Sequence, residues 1–475
     1  MSVRALGALL SILALTGARS LVAQGAPGGG GTCELQYFAR TPGAEPRVNA
    51  VRQTSGTFNY FIGGGVVARC PAQSMILESD SAEYYGDSRT LFLIGNVHYT
   101  EPRATLDAAR LTYFMPEERI YLEGDVRALL PSGTTMRGPA ADYFRVVPRV
   151  RPRARLVAIG RPTINLVQRD SVTGQPSPPT EVVANTVVME GDSLAFASGR
   201  VVITRTDVIA RGDSAAMDQG REWARLMRAP IIEGRGERPF TLSGTVIDLF
   251  ARNRALERVL AKGAGRVVSE DMTLTSDTLD FRMEKALLQR AFAWGRSRAR
   301  AVSPTYDIVS DSMDVHMPAQ QLQQVFAVRD AYAQSRPDTT RIRTTDRDWM
   351  RGDTIVGTFE PPPAADTSAR PRIRELRANG SARSYYHLAQ GDTVNTMPAL
   401  NYVVGSSITV AFADQQVSMV SVRENASGAY LTPRTAADTL PAPVAPRTPA
   451  ATPPGTPSSS PASPPPTPSR PGTRP

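Results

Sequence analysis

The sequence predicts an all-β protein, an elongated array of repeated, antiparallel, bent strands. Three observations predict it. Apolar and polar residues alternate with period two, a short acidic signature recurs along the chain, and the alternation changes phase at that signature.

The signature reads ESDSAEYY (78–85), EGDSLAF (190–196), RGDSAAM (211–217), TSDTLDF (275–281), VSDSMDV (309–315) and RGDTIVG (351–357), with weaker copies at 106–114 and 242–250. From Asp213 to Gly244, Asp277 and Asp311 the steps are 31, 33 and 34 residues. The apolar set is Met272 and Leu274 before Asp277, but Leu279, Phe281 and Met283 after it, so even positions become odd. The same switch carries Met75 and Leu77 to Ala82 and Tyr84, Met189 to Leu194 and Phe196, and Ala210 to Ala215 and Met217. It recurs from Leu242 to Ile247 and Leu249, and from Ile308 to Met313 and Val315. A slip of one residue sends every later side chain to the opposite face, so one extra residue must sit at each signature. Glycine, aspartate and serine tolerate such a bend. Asp80, Asp192, Asp213, Asp277, Asp311 and Asp353 are therefore expected as corner formers. A calcium-binding β-roll would need aspartates at a nine-residue repeat, which these do not have.

A second signature follows each first one. ERVLAKGAGRV (257–267), QRAFAWGRSRA (289–299) and IRELRANGSAR (373–383) are the full copies, and LFLIGNV (91–97) and IYLEGDV (120–126) the earlier ones. Here a single parity persists, as in Ile120, Leu122, Gly124 and Val126, which predicts a straighter return strand. Its inward sites are small: Val259, Ala261, Gly263 and Gly265, then Ala291, Ala293, Gly295 and Ser297. Small inward side chains leave room between two sheets normally about 10 Å apart.

Composition excludes several chemistries. The 475 residues carry Lys+Arg 54 against Asp+Glu 45, a net charge of +9, and 41% of them are hydrophobic, enough for a core. Lys262 and Lys285 are the only lysines and neither follows a glycine, so there is no phosphate-binding Gly-Lys loop. His98, His316 and His387 stand in no metal-ligand spacing. No nucleophile elbow and no complete dinucleotide fingerprint appears. The chain does not read as an enzyme; no catalytic residue, metal, cofactor or nucleic-acid partner is expected. The arginine excess reads either as coding bias or as a guanidinium surface for phosphate or carboxylate groups.

The termini differ from the middle. Residues 1–23 read as a secretory signal, with Arg4 before the apolar run Ala5 to Thr16 and small residues after it. Export implies an oxidising compartment, in which Cys33 and Cys70 are expected to pair and to contribute about 3–4 kcal/mol. A Gly-rich linker (24–32) leads into β repeats over 33–334; a loop over 335–348 separates these from further, divergent repeats over 349–432. Around 148–180, Arg149, Arg151, Arg153 and Arg155 alternate in a proline-rich break, read as a solvated basic loop with a phosphate-binding face as the alternative. The tail, 433–475, is expected to be disordered: from Pro441 onward 14 of 35 residues are proline.

Residues 75–144 resemble the OstA-like (LptA) family, which includes the N-terminal domain of LptD. The matching features are Ser79-Asp80-Ser81 with Gly95-Asn96-Val97, Asp107-Ala108-Ala109 with Gly124-Asp125-Val126, and Gly138-Pro139-Ala140-Ala141-Asp142. The resemblance implies a slightly open β-jelly-roll whose two sheets enclose an apolar groove for the acyl chains of lipopolysaccharide or a related lipid. It also implies a periplasmic, outer-membrane-directed role, with edge-strand pairing to other jelly-rolls of the same transport system or to a second copy. The groove positions so implied are Ile120, Leu122, Val126, Leu194, Phe196, Ile247, Leu249, Val259, Leu279, Phe281, Met313 and Val315. The chain departs from the family in being far longer than a minimal bridge protein, with nothing after residue 432 to form a membrane barrel. The rival reading is an exported β scaffold or adhesin built as a parallel coil; the direction of strand pairing separates the two.

Overall fold

In a computed structural model of the chain, the residues described are 19–20, 36–41, 45, 47–167, 180–191, 193–206, 208–235, 239–253, 255–269, 272–284, 287–337, 342–360, 371–389, 396–413 and 416–433. They form a single sheet of 29 strands whose ladders are antiparallel from one end to the other. The fold is all-β, and its antiparallel pairing sets the parallel coil aside. Each bent strand pairs with the one before it and the one after it in the chain. The ladder passes the expected break at 335–348 without changing its rule: Ser335 pairs with Asp348, and Asp348–Glu360, Arg372–Leu388 and Ala399–Ala413 follow in turn. Residues up to Leu431 make one compact unit; of the second, 432–475, all beyond 433 lies outside the described residues. Of the expected signal only Arg19–Ser20 is described, paired with Gln36 and Tyr37.

The phase change appears directly in the burial. On Met75–Tyr85, Leu77 and Ser79 are buried before the corner and Ala82 after it; on Ala104–Phe114 the set is Leu106 and Ala108, then Leu111. The neighbouring strand is bent as well, contrary to the straighter return expected. Glu78 pairs with His98 and Ser81 with Ile94, so Ser79 and Asp80 lie opposite Gly95, Asn96 and Val97. Gly95 and Asn96 both take left-handed backbone, φ 77 and 43. Two inserted residues restore parity where one would reverse it, which is why the return strand looked straight in sequence. Gly124–Asp125, Gly263–Ala264 and Gly380–Ser381 repeat the device. Glycine is required at its first position: besides the positive φ, a Cβ on Gly95 would run into the Asp80 carboxylate, and one on Gly380 into that of Asp353.

Five of the six expected corner aspartates are at such mid-strand bends. Asp80 accepts a bond from Asn96 Nδ2 at 2.7 Å, Asp213 one from Arg228 at 2.9 Å, and Asp277 two from Ser297, at 2.7 Å each. Asp311 is 3.7 Å from Arg298, and Asp353 abuts Gly380. The bonds from Ser297, first its backbone N–H and then its hydroxyl, hold the Asp277 carboxyl below the usual carboxylate range. The sixth, Asp192, lies outside the described residues, and its signature is not a corner. Glu190 pairs directly with Leu194, so Thr186–Glu190 and Leu194–Thr204 are consecutive arms of one hairpin. The true corner of that pair is Asn185 opposite Gly199–Arg200.

Each corner divides a strand between two limbs, and at some corners the strand breaks. Arg155–Ile159 and Thr163–Leu166, for instance, pair with successive halves of Thr135–Phe144. The apolar faces of the two limbs meet. Between residues 58 and 166 they close completely, with Tyr99, Tyr143, Leu77, Leu93, Leu106, Leu111 and Ile164 among the largest fully buried side chains. Beside this core Arg145 donates to Glu101 at 2.9 Å and to Glu118 at 2.7 Å, while Tyr99, Tyr113 and Tyr143 bond the same two carboxylates. Cys70 is fully buried and disulfide-bonded; Cys33, its expected partner, lies outside the described residues.

Candidate functional site: an apolar cavity between the limbs

Beyond residue 166 the limbs no longer fill the space between them. A cavity of about 2170 Å³ opens there, its wall running from Ser132 and Ile164 to Leu376. Small side chains contribute to its wall from both limbs. One limb presents Ala215, Ala224, Ala291 and Ala327, and the other Ala210, Ala301 and Ala333. Alanines thus stand in the wall on both limbs. Larger residues, Met217, Leu249, Val259, Phe281, Val315 and Phe359, make the rest of the wall apolar.

The groove positions named from the sequence divide accordingly. Leu249, Val259, Phe281 and Val315 line the cavity from inward-facing sites. Ile247, Leu279 and Met313 face inward but are packed within the core below the cavity wall. Ile120, Leu122 and Val126 are correctly inward yet fully buried in the closed N-terminal core, so they border no open groove. Leu194 and Phe196 were assigned to the wrong face. Because a hairpin, not a corner, precedes them, Ala195 and Ala197 take the inward sites and Phe196 is 45% exposed at the cavity margin.

Polar residues gather at the cavity margins. Ser303 and Thr305 stand on one side and Gln219, Glu222, Gln320 and Gln321 on the other. They come from the turns that end the strands, while the limb interiors stay apolar. This is the arrangement an amphiphile requires, a long apolar body beside a wet, polar rim.

Several arginines are paired with aspartates on the outer face. Arg225 forms a bidentate pair with Asp248 (2.6 and 3.1 Å) and Arg258 one with Asp280 (2.8 and 2.9 Å). Arg290 repeats the pair with Asp314, and each guanidinium also lies over an aromatic ring: Trp223, Phe250 and Phe292 respectively. Burial works to raise the pKa of Asp248, but bonds from Arg225 and Lys262 outweigh it and hold the carboxyl below its usual range. In the basic break, Arg151 is spent on the backbone carbonyls of Arg145, Glu117 and Glu118. Nothing in the sequence pattern located these pairs, since each joins residues on neighbouring strands more than twenty positions apart. Among the described residues no group of three or more His, Cys, Asp or Glu is gathered as a metal ion would need.

No family model matches the sequence, and no curated protein matches it. Among solved structures the chain is similar to LptH of Pseudomonas aeruginosa, described as the LptA homologous periplasmic component of the lipopolysaccharide transport device. The identity is 18% and the TM-score 0.23, over 26% of this chain and 94% of that one.

Proposed function

We propose that this chain is an exported lipid carrier without catalytic activity, which holds the acyl chains of lipopolysaccharide or a related lipid between its limbs on the way to the outer membrane. The observation that carries this reading is the cavity of about 2170 Å³, its wall mostly apolar and contributed by both limbs. Each CH₂ moved into it contributes about 0.8 kcal/mol, so an acyl chain of roughly twelve carbons brings on the order of 10 kcal/mol before the cost of immobilising it. The terminal strands support a handover to a partner. Arg47–Arg52 and Ser427–Leu431 are exposed along their whole lengths, and among the described residues each pairs on one side only. Such edges accept another strand, from a second copy or from a jelly-roll of the same transport system.

A photo-crosslinking side chain at Phe281, on the cavity wall, should capture lipid in cells, whereas the same group at Leu122, in the closed core, should not. No lipid adduct at 281, or equal adducts at both positions, would reject the reading.

A further inference from the structure

The turn Ser303–Tyr306 has the apolar cavity on one side and a second, small pocket of about 140 Å³ on the other. All four residues of the turn belong to both walls; the small pocket is completed by Arg300, Val302, Asp307, Arg336 and Arg347. Its lining therefore sets three guanidinium groups against a single carboxylate.

The topology explains the gathering. Tyr306 pairs with Ser335, and Ser335 with Asp348, so three consecutive strands end in step. The residues just past those ends, Thr305, Arg336 and Arg347, are thereby brought together, and the Arg336 N–H donates to the Thr305 carbonyl at 3.0 Å. Asp307 is already engaged by Arg300, through two bonds of 2.9 and 2.7 Å, and by Gln334 at 2.9 Å. Arg347 also acts on Asp307, but with Arg336 and Arg347 both exposed, three guanidinium groups against one carboxylate leave the pocket net positive. The inner side of the turn is apolar: Ala301, Ile308 and Ala333 form one row across three strands of the cavity wall.

We infer that this pocket binds the phosphate of an amphiphile whose chains occupy the cavity, the headgroup crossing the Ser303–Tyr306 rim to meet Arg336 and Arg347. The inference rests on the lipid-carrier reading and adds to it a headgroup class. Planar guanidinium forks match a phosphate oxygen pair, and the Thr305 hydroxyl lines the same pocket.

The test uses the full-length protein and three probes: dioleoyl phosphatidic acid, dioleoylglycerol and inorganic phosphate. Displacement of a fluorescent fatty acid reports both lipids, and calorimetry reports phosphate. Phosphatidic acid is expected to bind about tenfold more tightly than dioleoylglycerol. The double variant Arg336→Ala/Arg347→Ala should abolish that preference while leaving dioleoylglycerol affinity unchanged. Equal affinity for the two lipids in the unaltered protein, or equal weakening of both in the variant, would overturn the phosphate site and leave the carrier reading intact. Inorganic phosphate binding as tightly as phosphatidic acid would assign the pocket to free phosphate and overturn the headgroup role. If neither lipid displaces the probe, the carrier reading itself fails and the headgroup site with it.

Discussion

Arg145→Met is expected to lower the stability of the folded chain by roughly 3–5 kcal/mol, the cost of stranding buried charge. Arg145 is bonded to both Glu101 and Glu118; its side chain is 10% exposed and that of Glu101 6%. Burial disfavours its charge, but the facing Tyr99, Tyr113 and Glu101 outweigh this and strengthen its hold on the proton. Methionine keeps much of the length and leaves Glu101 with only the hydroxyls of Tyr99 and Tyr143 to answer it. Urea unfolding of the single variant, and of the double variant Arg145→Met/Glu101→Gln, measures the effect. The double variant should recover part of the loss, because its buried glutamine carries no charge. A loss below about 1 kcal/mol in the single variant would show that water reaches the network and that it does not seal the N-terminal core.

Filling the cavity should separate binding from folding. In Ala291→Phe/Ala301→Phe, two rings enter empty space from opposite limbs, since Ala291 and Ala301 lie on either side of the Gly295 corner. Stability is expected to hold within about 1 kcal/mol, because cavity-filling substitutions add contacts without displacing neighbours. Affinity for a fluorescent fatty acid is expected to fall at least tenfold, about 1.4 kcal/mol or more. Thermal melting and fluorescence titration read the two quantities independently. Unchanged affinity would place the ligand elsewhere; collapse of the fold would show that the space is already occupied by protein atoms.

Some of this architecture was legible in the sequence because its signal is long-range. One residue at Asp277 moves Leu279, Phe281 and Met283 together to the other parity, and no local accident produces that. The return-strand bends were hidden for the complementary reason. Gly95–Asn96 inserts two residues, and two leave the alternation intact. The signature around Asp192 misled because Gly-Asp-Ser suits a hairpin as well as a corner, and the choice is made by pairing between Glu190 and Leu194. The extent of the cavity was also beyond the pattern. Leu122 and Phe281 have the same alternation, and nothing in it separates a position buried in the closed core from one on the cavity wall. The phosphate pocket joins Arg300, Arg336 and Arg347 from three strand ends, which no local window can bring together.

The most direct measurement is native mass spectrometry on the full-length protein, isolated without detergent from cells that export it. The account predicts a population heavier than the bare chain by the mass of an acylated lipid, released by organic solvent and absent from Ala291→Phe/Ala301→Phe. A bare chain that also fails to take up added lipid, with the cavity open and the fold intact, would contradict it.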